Sequence, residues 1–190
     1  ATSENLELLK IALKAADLAQ ENIMKYFQAS VGVEWKKDNT PVTIADKSTE
    51  EIARKFWEKE TPGFGVIGEE FGIENPDAEY QWVIDPIDGT KAFIHGVPLF
   101  GTLIALYRKG TPLASLIRIP AMNTAVWAVK EGGAFLDGKP VNCSKVATLS
   151  ESLVLSGTVN TMETAGYGEK YAAVRRAAKL HRGWGDCYGY

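Results

Sequence analysis

The chain is poor in sulfur and imidazole, with two cysteines, Cys143 and Cys187, and two histidines, His95 and His181, among 190 residues. Two isolated cysteines make neither a disulfide framework nor a zinc-ligand spacing, which points to a reducing, cytoplasmic compartment. Neither histidine lies in a metal-ligand spacing, so both are read as structural or surface residues. An excess of one charge is also missing: a formal net charge of −3 leaves no electrostatic footprint for nucleic acid. No apolar run approaches membrane-spanning length. The opening Ala1-Thr2-Ser3-Glu4 has neither a basic n-region nor an apolar h-region, so no targeting peptide is expected to remain, a removed one being equally compatible with this start. Repeats, low-complexity tracts and a clear linker are absent too. What is present, 45% hydrophobic and 24% charged residues, suits a globular protein with a sizeable core and a small-molecule partner.

The densest chemistry lies in Gln81-Trp82-Val83-Ile84-Asp85-Pro86-Ile87-Asp88-Gly89-Thr90. Trp82-Val83-Ile84 reads as the end of a buried strand, and because Pro86 has no N–H for a sheet ladder, the strand is expected to stop at Asp85. Gly89-Thr90 then opens one or two turns of helix over Lys91-Ala92-Phe93-Ile94, leaving free amides above the strand end. Asp-Pro and Asp-Gly taken singly are ordinary turn dipeptides. Two carboxylates three residues apart on one tight loop, however, repel by roughly 4 kcal/mol at about 4 Å and an effective dielectric of about 20, unless a cation or proton intervenes. Oxygen-only ligands suit Mg²⁺ or Mn²⁺. The D-x-D-G-T strand end of aspartyl-phosphate phosphatases is out of register here, because Pro86 and Ile87 both separate the aspartates.

Along the rest of the chain, Leu6, Leu9, Leu13, Ala16, Ile23 and Phe27 recur at helical spacing behind Ser3 as N-cap and Glu4 in the first turn. Val31 to Trp35 reads as a strand, and Lys36 to Pro41 as a polar loop. Thr43 and Asp46 form a capping-box variant before a helix carrying Ile52 and Phe56 and ending at Thr61-Pro62-Gly63. Phe64 to Ile67 is a strand that delivers Gly68-Glu69-Glu70, and Phe71 to Tyr80 is read as a loop. Phe100 to Tyr107 and Leu113 to Ile119 make a hairpin-like pair, Ala125 to Val129 another strand, and Asp137-Gly138 a hairpin turn. A strand at Leu153 to Ser156 precedes a helix from Glu169 to Leu180. The pattern is α+β with a mostly antiparallel region.

Gly68-Glu69-Glu70, Asp85-Pro86-Ile87-Asp88-Gly89-Thr90 and Trp184-Gly185-Asp186 resemble, in order and rough spacing, the three motifs of the inositol monophosphatase superfamily of Mg²⁺-dependent phosphomonoesterases. The resemblance covers essentially the whole chain. Asp88 to Phe93, Gly96 to Leu106 and Gly185 to Tyr190 most resemble its histidinol-phosphate phosphatase branch. The resemblance implies a layered αβαβα fold of the inositol-monophosphatase/fructose-bisphosphatase type, divided into a metal-binding domain at 1–148 and the start of a second domain at 149–190. Because family members run on past the third motif, the second domain is expected to be incomplete. It further implies two or three Mg²⁺ ions, with Mn²⁺ as a substitute, held by Glu69, Asp85, the Ile87 carbonyl, Asp88 and Asp186. Glu69 and Thr90 would activate the attacking water and Asp46 would hold Thr90, although the capping role alone also accounts for Asp46. Asp88, Gly89, Thr90 and Asp186 would contact the substrate, and the Lys36-Lys37 loop would close over the metals. The implied partner is a small phosphorylated metabolite, and the implied assembly a homodimer. Histidinol phosphate, as in histidine biosynthesis, is the expected substrate; inositol 1-phosphate, fructose bisphosphate-like or phosphoadenosine substrates and a non-catalytic member of the fold are the alternatives.

Overall fold

The first helix, α1 (Ser3–Ile23), is capped one residue earlier than expected: Thr2, not Ser3, accepts the Asn5 amide. Its inner face is built from alanines. Ala12, Ala15, Ala16 and Ala19 are each at most 2% exposed, which lets the backbone approach the layer beneath, whereas Leu6, expected inside, faces solvent. In this computed structural model the described residues are 1–29, 32–35, 41–157, 159–184 and 186–189. The strand residue Val31 and the loop Lys36 to Thr40, which carries the expected lysine pair, lie outside them.

A short antiparallel pair, β1 (Val33–Trp35) and β2 (Pro41–Thr43), leads into α2 (Ile44–Glu60). There the capping box forms as the sequence suggests, with Thr43 and Asp46 satisfying each other's end of the helix. The helix stops at Thr61, and Gly63 takes a left-handed conformation. Then follow β3 (Gly65–Gly68), β4 (Gly72–Glu74), β5 (Tyr80–Asp88), α3 (Thr90–Ile94), β6 (Gly101–Arg108), β7 (Thr111–Ile119), β8 (Thr124–Val129), β9 (Gly133–Leu136) and β10 (Lys139–Val141). They form one eight-stranded sheet in the order β10-β9-β8-β7-β6-β5-β3-β4. Every neighbouring pair is antiparallel except β3 and β5, which are parallel, with β4 beyond β3 at the sheet edge.

Two sequence expectations are corrected here. The segment Phe71 to Tyr80 is not all loop, because β4 folds back on β3 as an exposed edge strand. Strand β5 does not stop at Asp85. It runs through Pro86 to Asp88 because β3 has already ended opposite Ile84, and the ladder to β6 shifts register between Asp85 and Asp88. Proline is tolerated inside such a bulge, where no ladder N–H is required of it.

Helices α1 and α2 lie on one face of the sheet. The core between them joins Leu8, Ala12, Ala53, Trp57, Trp82, Ile84, Ile104, Leu106 and Leu116. Trp57 and Trp82 stack at 4.9 Å with their planes 2° apart. The indole N–H of Trp82 donates to Thr61, so the aromatic pair has a polar tether at the helix end.

The chain divides into two compact units, Ala1–Val141 and Asn142–Tyr190. The second contains a parallel pair, β11 (Leu153–Leu155) with β12 (Leu180–Arg182), connected through α4 (Val159–Thr164) and α5 (Gly168–Ala177). Leu180, expected at the end of the helix, instead opens β12, because α5 gives way to extended backbone at Ala178. The architecture is a layered α+β fold. No helix among the described residues is long and apolar enough to cross a membrane.

Candidate metal centre

The parallel pairing of β3 with β5 ends at Gly68 opposite Ile84, so Glu69 and Asp85 follow it side by side. The Glu69 amide donates to the Ile84 carbonyl at 3.3 Å, continuing the ladder one residue past the strand. The two carboxyl groups then meet through a hydrogen bond.

The bulge explains the spacing of the aspartates. In a regular strand, residues three apart face opposite ways. Here Asp85 pairs with Leu103 and Asp88 with Gly101, three residues on β5 against two on β6, so both aspartates come to the same face. Pro86 and Ile87 take up the extra residue and are both buried. The Thr102 hydroxyl, fully buried on β6, donates to the Pro86 carbonyl at 2.8 Å and holds the bulge in place.

The electrostatic consequence falls on Asp85, whose carboxyl is pushed up from 3.8 to about 8. Burial is the largest cause, followed by the charge of Glu69, the hydrogen bond with Glu69 and the charge of Asp88. Its Oδ1 is buried with no hydrogen-bond partner. Burial also raises Asp46, opposed by the Thr43 hydroxyl and amide, which donate to Oδ2 at 2.7 and 2.8 Å; the charge of Glu69 adds to the rise. The other oxygen of Asp46 lies 3.5 Å from the Thr90 hydroxyl, which donates to the Ile87 carbonyl at 3.0 Å. That carbonyl keeps a second lone pair.

Gly89, at φ 87° and ψ 35°, turns the chain from β5 into α3 through left-handed backbone that a side chain would strain. Five sequence-selected residues, Asp46, Glu69, Asp85, Asp88 and Thr90, are thus linked by hydrogen bonds or direct charge coupling, with the Ile87 carbonyl and Gly89 between them in the chain. Among the described residues no three His, Cys, Asp or Glu side chains form a ready-made metal-holding group; Glu69 and Asp85 bond to each other. Asp186 lies in the second unit, exposed, at φ 58° in a 3-10 turn (Asp186–Gly189).

Sequence reasoning missed Glu50. It is fully buried on α2, ion-paired with Arg54, and accepts the Glu70 and Phe71 amides at 2.8 and 3.2 Å. The available signal was a carboxylate on the buried stripe Asp46, Glu50, Ala53 and Trp57 with a cation four residues on. Both histidines have local partners: the His95 ring meets the Lys91 carbonyl, and His181 meets Ser156 and Tyr171.

Residues 4–187 match the model of the inositol monophosphatase family. The chain belongs to that family. It is 40% identical over 183 residues to a histidinol-phosphatase of Chlorobaculum parvum, covering 96% of this chain and 71% of the relative. Against a histidinol-phosphatase of Mycobacterium tuberculosis the identity is 36% over 188 residues, covering 96% and 72%. The fold is similar to that of an inositol monophosphatase from Zymomonas mobilis, with a TM-score of 0.85, 33% identity and coverage of 98% and 72%. The names of these relatives are those of phosphoric monoester hydrolases, and members of the family are generally metal-dependent.

Proposed function

We propose that the chain is a Mg²⁺-dependent phosphomonoesterase whose substrate is histidinol phosphate. The observation that carries the metal reading is Asp85: a buried carboxyl raised to about 8, with one oxygen lacking any partner and Glu69 against the other side. Such a group holds a proton where a cation would serve it better, and an all-oxygen donor set fits Mg²⁺. The proposed ligands are Glu69, Asp85, Asp88 and the free lone pair of the Ile87 carbonyl. Mg²⁺, when bound, supplies charge neutralisation of the phosphate, a lowered pKa for the attacking water and stabilisation of the leaving oxygen.

The protein's own groups do the rest. Asp46, fixed by two bonds from Thr43, sets the Thr90 side chain, and the Thr90 hydroxyl, committed as a donor to Ile87, accepts from the attacking water and orients it. Glu69 takes that water's proton. The Gly89 and Thr90 amides, aimed past the strand end, bind phosphate oxygens. This proposed set is confined to the first unit. Asp186→Asn, measured beside Asp88→Asn, tests whether the second unit adds a group, since a comparable fall in kcat would add Asp186.

Substrate choice rests on the longer matches to histidinol-phosphatases, 40% identity over 183 residues and 36% over 188, against 37% over only 158 residues for an inositol monophosphatase of Dictyostelium discoideum. The test is kcat/KM for L-histidinol phosphate and for inositol 1-phosphate in Mg²⁺, with at least about a tenfold preference for the former expected. Equal values, or a preference for inositol 1-phosphate, would move the protein to the inositol phosphate branch. No Mg²⁺-dependent phosphate release from either would make it a non-catalytic member.

A further inference from the structure

Glu50 and Arg54 form an ion pair whose Glu50 side chain is wholly buried and whose Arg54 side chain is 14% exposed. A buried pair of this kind is weak grounds for stability, because desolvating two charges offsets most of their attraction. Its hydrogen bonds have a common target. Glu50 Oε2 accepts the Glu70 amide and Oε1 the Phe71 amide. Arg54 donates through Nε to Glu50 Oε1 at 2.9 Å, and through its two terminal nitrogens to the Gly72 carbonyl at 2.6 Å and Glu74 at 3.0 Å. The residues bound are Glu70 and Phe71 of the β3–β4 turn, which has Glu69 at its start, and Gly72 and Glu74 of β4. On the other side of Glu69, Gly68 has no side chain for a reason: a Cβ there would overlap the Glu50 carboxylate.

We propose that Glu50, locked by Arg54, is a positioning residue for Glu69, fixing the backbone on both sides so that the Glu69 carboxylate meets Asp85 in metal-binding geometry. The inference rests on the reading of Glu69 as a metal ligand. Glu50 touches neither metal nor substrate. It acts by presenting two acceptors to two successive amides, a task that needs a carboxylate: Gln has one acceptor, and its NH₂ would oppose the second amide.

The test is Mn²⁺ affinity of the full chain, measured by paramagnetic resonance titration without substrate, together with kcat, KM and the melting temperature in chelator. Glu50→Gln is expected to weaken Mn²⁺ binding about tenfold, the scale at which groups behind metal ligands act, and to lower kcat with KM little changed. Arg54→Lys, which keeps a cation beside Glu50 but loses the fork to Gly72 and Glu74, is expected to show a smaller loss in the same direction. If Glu50→Gln lowers the melting temperature while Mn²⁺ affinity and kcat stay parental, Glu50 only supports the fold and the inference is wrong. Should Glu50→Gln fail to fold, Arg54→Lys decides, and parental Mn²⁺ affinity there overturns the inference. Loss of Mn²⁺ binding in Glu69→Gln but not in Glu50→Gln would sink this inference and leave the metal reading intact. Absence of binding in the parent would remove both.

Discussion

Replacing Asp85 with asparagine is expected to stabilise the protein and abolish its activity. In the folded chain the Asp85 carboxyl titrates at about 8 against an ordinary 3.8. Between those values the folded state holds a proton that the unfolded state releases, so stability falls as pH rises through the interval and levels off above pH 8. At 1.36 kcal/mol per pH unit over about three units, the cost at pH 7 is on the order of 4 kcal/mol. Asparagine has the same shape, needs no proton and can donate permanently to Glu69. In urea unfolding with EDTA, parent and Asp85→Asn should coincide near pH 4 and diverge toward pH 8, the variant being the more stable. Saturating Mg²⁺ should stabilise the parent far more than the variant, because only the parent offers the full ligand charge. Parallel stability curves from pH 4.5 to 8, or a variant less stable than the parent at pH 8, would refute the reasoning.

Activity should disappear on chelation and return with Mg²⁺ or Mn²⁺, with Ca²⁺ inhibiting because its coordination is longer and looser; full turnover after exhaustive chelation would exclude the metal. Asp88→Asn, which removes charge without changing shape, should lower kcat by orders of magnitude while leaving circular dichroism unchanged and the melting temperature no lower, and a parental rate would exclude Asp88 as a ligand. Thr90→Val should lower kcat about a hundredfold with KM little altered, since it removes the hydroxyl that orients water but no phosphate-binding amide; a rise in KM alone would assign Thr90 to binding. Thr43→Ala should cost about 1 kcal/mol in urea unfolding through loss of the α2 cap and also slow turnover, and a stability loss with unchanged kcat would uncouple Asp46 from the chemistry.

Local signals made much of this legible from sequence. Thr43 and Asp46 announced the start of α2, and Asp137-Gly138 its hairpin, because capping boxes and such turns are set by neighbours in the chain. Two carboxylates at the end of one short apolar run marked Asp85 and Asp88, and the family resemblance joined Glu69 to them. What escaped the sequence depended on partners distant along the chain. Strand β4 is exposed along its length and lacks the alternation that marks a half-buried strand; it exists because β3 offers it an edge. The continuation of β5 past Pro86 follows from where β3 stops, which the residues of β5 do not encode. Glu50 reads in sequence like any acidic residue on a helix of mixed charge, and only the fold shows its carboxylate filling the space that Gly68 leaves.

The β5 bulge makes the site depend on length more than on side-chain identity. Pro86 and Ile87 lengthen the spacing by one residue while the bulge keeps Asp88 on the same face as Asp85; their own side chains are buried. Conservative substitutions at either position should therefore leave the carboxylates aligned. Deleting either one would restore a regular strand and leave the aspartates two apart, still on one face, but would draw Gly89 and Thr90 back by a residue and detach the α3 amides from the carboxylates they flank. Variation that preserves the count is open to this segment, while a single-codon deletion, harmless in most surface loops, would dismantle the site with every functional residue still in the sequence.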